Sequence, residues 1–237
     1  MTGLLFLVGS LGFLLTKELI GPNDGVSPRQ SFFVHVKTSL SEIKSNRNFL
    51  YFLSSCDLEF VITLTTLSFY ANYATGYYAI PEAIAAGLFV ACIYSGSITV
   101  NIFLGTMNLL SLKQKFILSK FVSFTALILL AWFPTYTTLF LASFMLGFVR
   151  AIRNMVYPPS VKKFAGREDA TSYFAFGSIL TLPFSAGYPL VFGKALDYLS
   201  FLASDAYKIM FSVSALIIVC TLFLALKTDY GIEAKSD

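Results

Sequence analysis

Residues 49–74 read FLYFLSSCDLEFVITLTTLSFYANYA, a largely apolar stretch that contains only two charged side chains, Asp57 and Glu59. A helix of about 20 residues crosses the hydrocarbon core of a bilayer, and this stretch is long enough to do so. A buried strand or an amphipathic surface helix needs a much shorter run of apolar residues. The stretch therefore predicts a membrane-spanning helix.

The rest of the chain continues in the same way. The 237 residues are 56% hydrophobic and 13% charged, with 25 Phe and 13 Tyr. This composition is far more apolar than that of an ordinary soluble domain, so it excludes a disordered chain and argues against a soluble enzyme. The predicted fold class is an all-α membrane protein with six transmembrane helices, at residues 49–74, 82–111, 116–134, 136–157, 170–193 and 207–227.

Four segments are predicted along the chain. Residues 1–16 hold an apolar block too short to span a bilayer, which resembles the end of a truncated transmembrane helix. Residues 17–48 are expected to be a cytoplasmic linker, in which apolar residues recur at helical spacing and indicate an amphipathic helix at the membrane surface. The six-helix bundle covers 49–227, and 228–237 form a cytoplasmic tail.

The basic residues alternate between the two ends of the predicted spans. Of the 17 Lys and Arg, only Lys194 and Lys208 belong to connections on one side of the membrane. The others, among them Lys120, are counted with the connections on the opposite side. Cytoplasmic loops retain basic residues, because such residues resist translocation. The pattern predicts a multi-pass integral protein of a plasma or inner membrane, with its C-terminus in the cytoplasm and with connections 17–48, 111–116 and 158–169 on the same side.

Ionisable residues inside the predicted membrane region are costly and are usually paired or functional. Asp57 and Glu59 are two residues apart, so they point about 200° away from each other on a helix and cannot face the same cavity. One is expected to line a path, and the other to meet a neighbouring helix or to stay protonated. Ser68 and Asn72 belong to the same polar stripe as Asp57.

The fourth span carries Arg150, Arg153 and Asn154. Arg150 lies at the depth of Asp57, which predicts an ion pair between Arg150 and either Asp57 or Glu59. The alternative is that both arginines extend to the headgroups, and for Arg153 this is the preferred interpretation. The pair Pro158 and Pro159 is expected to close the fourth span.

The remaining spans differ in their small and polar residues. The third and sixth are apolar on nearly every face, so they are expected to face lipid. The second span contains Asn101 and Gly105, and the fifth contains Pro183, Gly187 and Pro189. Small residues allow close helix approach and proline allows bending, so these two spans are expected to be packed and mobile.

The sequence contains few residues that suggest a metal, cofactor, nucleic-acid or catalytic site. The three cysteines lie in apolar blocks and are expected to be small buried hydrophobes, so no metal site and no cofactor is predicted. No basic stretch suggests a nucleic-acid surface. The zinc-protease pattern H-E-x-x-H, the hydrolase pattern G-x-S-x-G and the nucleotide-binding P-loop do not occur, so an enzyme is not expected.

Six spans with both ends inside, with polar first and fourth helices and a long amphipathic inner connection before them, resemble the C-terminal half of a major facilitator superfamily transporter. The family's loop signature would start at Gly105 and end with the matching Lys115. At the other signature positions, Leu109 replaces the family's acid and Leu112 replaces its glycine. Leu110 and Gln114 stand where the family has basic residues.

This resemblance implies a secondary carrier that moves a small solute across the lipid bilayer by alternating access, with proton coupling through a carboxylate as one form. It implies a partner, either a missing N-terminal half or a second copy of the chain. The substrate or coupling candidates are Asp57, Glu59, Asn101, Arg150 and Asn154. The gating or packing candidates are Gly105, Lys115, Pro183, Gly187 and Pro189.

Two other classes stay open at this point. A seven-helix receptor or scaffold would require the block at residues 3–15 to span the membrane, with the N-terminus outside. An intramembrane enzyme would have to use Asp57 and Glu59, which diverge on their helix, and it ranks last.

Overall fold

The computed structural model describes residues 32–107, 109–166 and 170–231. These residues contain no strand, and six of their helices are long and apolar enough to cross a membrane. The chain separates into two compact units, residues 1–38 and 39–237. The predicted truncated helix at 1–16, the linker as far as residue 31 and the tail from residue 232 lie outside the described residues.

Each of the six predicted spans is a helix. The first helix, α1, covers Phe32–Ser45 and confirms that the linker contains a helix. The spans are α2 (Arg47–Tyr77), α3 (Glu82–Val100, continued by a π-helical turn at Asn101–Thr106), α4 (Leu112–Trp132), α5 (Tyr136–Ala165), α6 (Thr171–Tyr198) and α7 (Ser204–Lys227), with a short 3₁₀ helix at Ser200–Leu202 before α7.

Local polar side chains explain where several helices begin. The Asn46 side chain accepts a hydrogen bond from the Phe49 N–H at 3.0 Å and caps α2. Ser111 and Gln114 form a reciprocal capping box at the start of α4, and α5 begins with the corresponding pair Thr135 and Thr138. These bonds satisfy backbone donors that a helix start leaves without partners.

The prediction that Pro158 and Pro159 close the fourth span is wrong, because α5 continues through both prolines to Ala165. The turn beyond them is held from outside the helix. Asn46 donates from its amide to the Phe164 carbonyl at 2.9 Å, and the hydroxyls of Ser160 and Tyr230 lie 3.2 Å apart. Tertiary contacts thus hold the helical turn that follows the two prolines.

Packing around α2 organises the bundle. α2 contacts α5, α6 and α7, whereas α3 packs chiefly on α5, and α4 lies against α5 and α7. The second and fifth spans were expected to be packed and the third to face lipid, but the structure shows the reverse. In the most apolar part of each helix, half of the α4 residues are buried, against 22% in α3 and 17% in α6. The second and fifth spans are therefore the most open in this chain, and the third is not simply a lipid-facing helix.

One crossing does use small residues as predicted. A Cβ atom added at Gly147 of α5 would overlap the Ile93 carbonyl of α3, and one added at Gly96 would overlap the Phe144 carbonyl. Between them, the Ser97 hydroxyl lies 3.0 Å from the Gly147 carbonyl oxygen. Small residues let the two backbones touch here. Gly87, in contrast, faces open space.

Candidate functional site

The strongest candidate site is an ion pair between α2 and α5. Arg153 Nη2 donates to Asp57 Oδ1 at 2.9 Å. The Arg153 guanidinium carbon lies 3.8 Å from the centre of the Phe60 ring and 4.6 Å from that of Tyr157. The cation is thus held by a carboxylate and two aromatic faces, which attract it through their negative π-surfaces.

Helical spacing explains this grouping. Asp57 and Phe60 are three residues apart on α2, and Arg153 and Tyr157 are four apart on α5, so each helix presents two of the four side chains on one face. The interpretation of Arg153 as a residue that extends to the headgroups is wrong. The expected partner, Arg150, is exposed, as is Asn154, and both membrane carboxylates pair with other cations.

The Asp57–Arg153 pair is only partly closed. The Asp57 side chain is 8% exposed and the Arg153 side chain 20%. In addition, Arg153 Nε is buried and has no hydrogen-bond partner among the described residues. A buried donor without a partner is costly, so this guanidinium retains binding capacity that Asp57 does not use.

A small cavity lies on the far side of the Phe60 ring that Arg153 contacts, and neither Asp57 nor Arg153 lines it. Its volume is about 160 Å³, and Phe60 is one of its walls; the other lining residues are Val61, Leu64, Thr65, Ser68, Ser185 and Pro189. Thr65 is buried, and its hydroxyl has no partner among the described residues. Pro189 has no N–H, so it cannot satisfy the Ser185 carbonyl one turn earlier. The mostly apolar wall of the cavity therefore includes one buried hydroxyl, that of Thr65, without a partner among the described residues.

Of the predicted cavity residues of α2, Ser68 lies in this wall and Asn72 is exposed further along. Thr65 belongs, with Ser68, to the polar stripe predicted around Asp57, whereas Phe60 and Ser185 were not singled out from the sequence. An aromatic residue or a hydroxyl in an apolar helix is too common to be distinguished without its neighbours.

Glu59 belongs to a second, closed network between α2 and α4. Lys120 Nζ donates to Glu59 Oε2 at 2.5 Å and to the Ser55 carbonyl at 2.9 Å. The hydroxyls of Ser119 and Ser123 donate to the two Glu59 carboxylate oxygens at 3.0 and 2.7 Å. The Lys120 side chain has no exposed surface, and that of Glu59 is 3% exposed.

This network corrects two predictions and confirms one. Lys120, counted among the basic residues of the inner side, is instead buried in the bundle, and α4 is not apolar on the face that meets α2. The predicted divergence of Asp57 and Glu59 is confirmed, because they contact different helices. The signal in the sequence was the polar group Ser119, Lys120 and Ser123, whose spacing places it on one helical face.

The two ion pairs therefore differ in character. Both Glu59 oxygens are satisfied and closed off from the surroundings, which suits a structural role. Asp57 and Arg153 retain exposure and an unused donor, and Phe60, which contacts Arg153, also lines a cavity, which suits binding of a polar group.

The other predicted residues are dispersed. Asn101 is exposed, and its amide donates to the Ser97 carbonyl at 3.0 Å at the start of the π-helical turn. A Cβ atom added at Gly105 would lie 3.1 Å from the Cε atom of Met155. Lys115 is buried in α4, and Pro183 is exposed on α6. Gly187 is half-buried, and Pro189 alone of the gating candidates lines the cavity.

The three cysteines are free and differ in burial. Cys56 is buried, Cys92 is half-buried and Cys220 is exposed, so the expectation of three buried cysteines is wrong for Cys220. Within the described part of the chain, no group of three His, Cys, Asp or Glu residues could hold a metal ion. Comparisons of the chain with protein-family models, with curated proteins and with solved structures found no match.

Proposed function

We propose that this chain is part of a secondary active transporter of the major facilitator superfamily type, which moves a small solute by alternating access. The observation that carries the proposal is the partly open Asp57–Arg153 ion pair, whose arginine contacts Phe60, a wall of a mostly apolar cavity that also carries three hydroxyl side chains, within helices long enough to span a membrane. Ionisable residues at such positions commonly mark solute or proton pathways.

The proposal includes proton coupling through Asp57 as one form of this transport. When Asp57 is ionised, it holds Arg153 by charge and hydrogen bonding. When Asp57 takes up a proton, the attraction weakens, and the guanidinium can bind a polar or anionic group of the solute instead. A single carboxylate would thereby link proton uptake to solute binding.

The other wall of the pathway would come from a second helical bundle. α3 and α6 expose large apolar side chains, among them Tyr94, Ile98, Leu190 and Val191, each more than half exposed. An apolar surface of this kind is stable against lipid or a protein partner. We propose that a second six-helix body covers these faces and closes the cavity.

Water access along α2 tests the proposal. In a variant without native cysteines, single cysteines at Ser68 and Asn72 are expected to react with a membrane-impermeant thiol reagent in intact membranes. Matched cysteines at Leu216 and Phe223 of α7, whose side chains are similarly exposed but entirely apolar, are expected to stay unlabelled. A scaffold whose α2 face is covered by lipid or protein would leave all four positions unlabelled, and that result would refute a solute pathway.

Loss of either charge should abolish transport without unfolding the chain. Uptake assays over a panel of labelled sugars, amino acids and organic acids first identify the solute that the unmodified chain takes up. Arg153→Gln and Asp57→Asn are each expected to reduce uptake of that solute by at least about 100-fold, which corresponds to about 3 kcal/mol. Lys194→Gln, an exposed charge on α6, is the control and should retain uptake. Normal uptake by Arg153→Gln at equal protein level would contradict the assigned role.

A further inference from the structure

A large groove lies away from the ion pairs, between the end of α4 and the start of α7. Its volume is about 540 Å³, and its lining residues are Ala131, Trp132, Pro134, Asp205, Lys208, Ile209, Ser212, Val213 and Leu216. This size is within the range of pockets that hold ligands of moderate size, about 300–1,000 Å³. The proposed solute pathway does not use it.

The groove is polar at one end and apolar along its length. Lys208 Nζ lies 2.7 Å from Asp205 Oδ1, and the two side chains are 39% and 63% exposed. From Asp205 to Leu216 the helix runs about 16 Å toward the middle of the bundle. Beyond Lys208, Ser212 is the one polar side chain among the α7 residues that line the groove.

Trp132 places the polar end at the membrane boundary. α4 ends at Trp132, and α7 begins at Ser204, so the mouth of the groove lies at one end of the bundle. The Trp132 side chain is 68% exposed there. Tryptophan is enriched at the level of the lipid headgroups, because one part of its ring system is apolar and the other is a hydrogen-bond donor.

We propose that this groove binds one phospholipid with an ethanolamine headgroup. Its acyl chain would lie along Val213 and Leu216, whose exposed surfaces are apolar. Its phosphate would accept a hydrogen bond from Lys208, and its ammonium group would donate one to Asp205. Both charges at the mouth are thereby matched by one molecule.

The charges discriminate between the common lipid classes. A choline headgroup carries three methyl groups on its nitrogen and cannot donate to Asp205. A headgroup with only a phosphate leaves the Asp205 carboxylate beside another negative charge, which is repulsive. The ethanolamine headgroup is therefore expected to bind several-fold better than either alternative.

The chain has a single tryptophan, so Trp132 reports on this groove alone. The purified full chain is reconstituted into vesicles in which one-tenth of the lipid has brominated acyl chains, which quench nearby tryptophan. Brominated phosphatidylethanolamine in a phosphatidylcholine background is expected to quench Trp132 several-fold more than the reverse mixture. A phosphatidylglycerol series at the same fraction should resemble phosphatidylcholine.

Three variants assign the effect to the groove. Asp205→Asn with Lys208→Gln should remove the headgroup preference, and Ser212→Phe should reduce the excess quenching by filling the acyl path. Lys194→Gln, a charge outside the groove, should leave the preference intact. Equal quenching by all three lipid classes in the unmodified chain overturns the proposal.

Two other results would also overturn it. One is a preference that survives in Ser212→Phe, and the other is disulfide cross-linking of Val213→Cys chains into dimers, which would assign the groove to a second copy. If the double variant is poorly folded by circular dichroism, Ser212→Phe and the three lipid series decide the matter without it.

Discussion

Lys120→Met is expected to lower the free energy of unfolding by about 3–5 kcal/mol, because it leaves the Glu59 carboxylate charged and enclosed without its cation. Lys120 is among the most deeply buried charged side chains of the described residues, and it contacts Glu59, the Ser55 carbonyl and the Phe116 ring. Denaturant titration of the purified chain in micelles, followed by circular dichroism, measures the loss.

The matched controls separate burial from charge. The double variant Glu59→Gln with Lys120→Met removes both charges and should recover at least half of the loss, because a neutral pair carries little desolvation cost. Lys208→Met breaks an exposed pair, whose contribution is about 0–1 kcal/mol. If Lys120→Met were as stable as Lys208→Met, the closed network would not contribute to the stability of the bundle.

Gly147→Ala is expected to destabilise the chain by about 1–3 kcal/mol or more, because the added methyl group overlaps the backbone of α3 rather than a movable side chain. The same overlap would separate α3 from α5 and lengthen the Ser97–Gly147 hydrogen bond. The measurement is the same titration, with retention on size-exclusion chromatography as a second readout.

Gly87→Ala in α3 is the control, and it should act in the opposite direction. A methyl group added there meets open space, and alanine favours a helix over glycine by about 1 kcal/mol. Equal effects of the two substitutions would mean that the α3–α5 contact is less close than described.

Much of the architecture follows from the sequence. Whether a stretch such as 49–74 can span a membrane depends on the length and composition of that stretch alone, and all six predicted spans are helices. Helix ends depend on more than local composition. At Pro158 the expected end was wrong, because Asn46 and Tyr230, both distant in sequence, hold the turn that follows.

At the candidate site, the sequence predicts the directions of the acidic side chains but not their partners. The angle between Asp57 and Glu59 follows from helix geometry, and this prediction is confirmed. Matching residues by their depth along the helices selected Arg150 as the partner of Asp57. A partner must also lie on the helix face that points toward the acid. Arg153 is only three residues away along α5, yet it is rotated by about 60° toward α2.

The sequence by itself determined that six apolar helices form and that Asp57 and Glu59 need partners on different sides, because both properties depend on a single helix. The tertiary structure alone decided that Arg153 and Lys120 are those partners. It also decided that the α2–α5 pair stays partly open while the α2–α4 network is closed. These outcomes depend on how neighbouring helices are rotated and how closely they approach, which no single segment of the chain specifies.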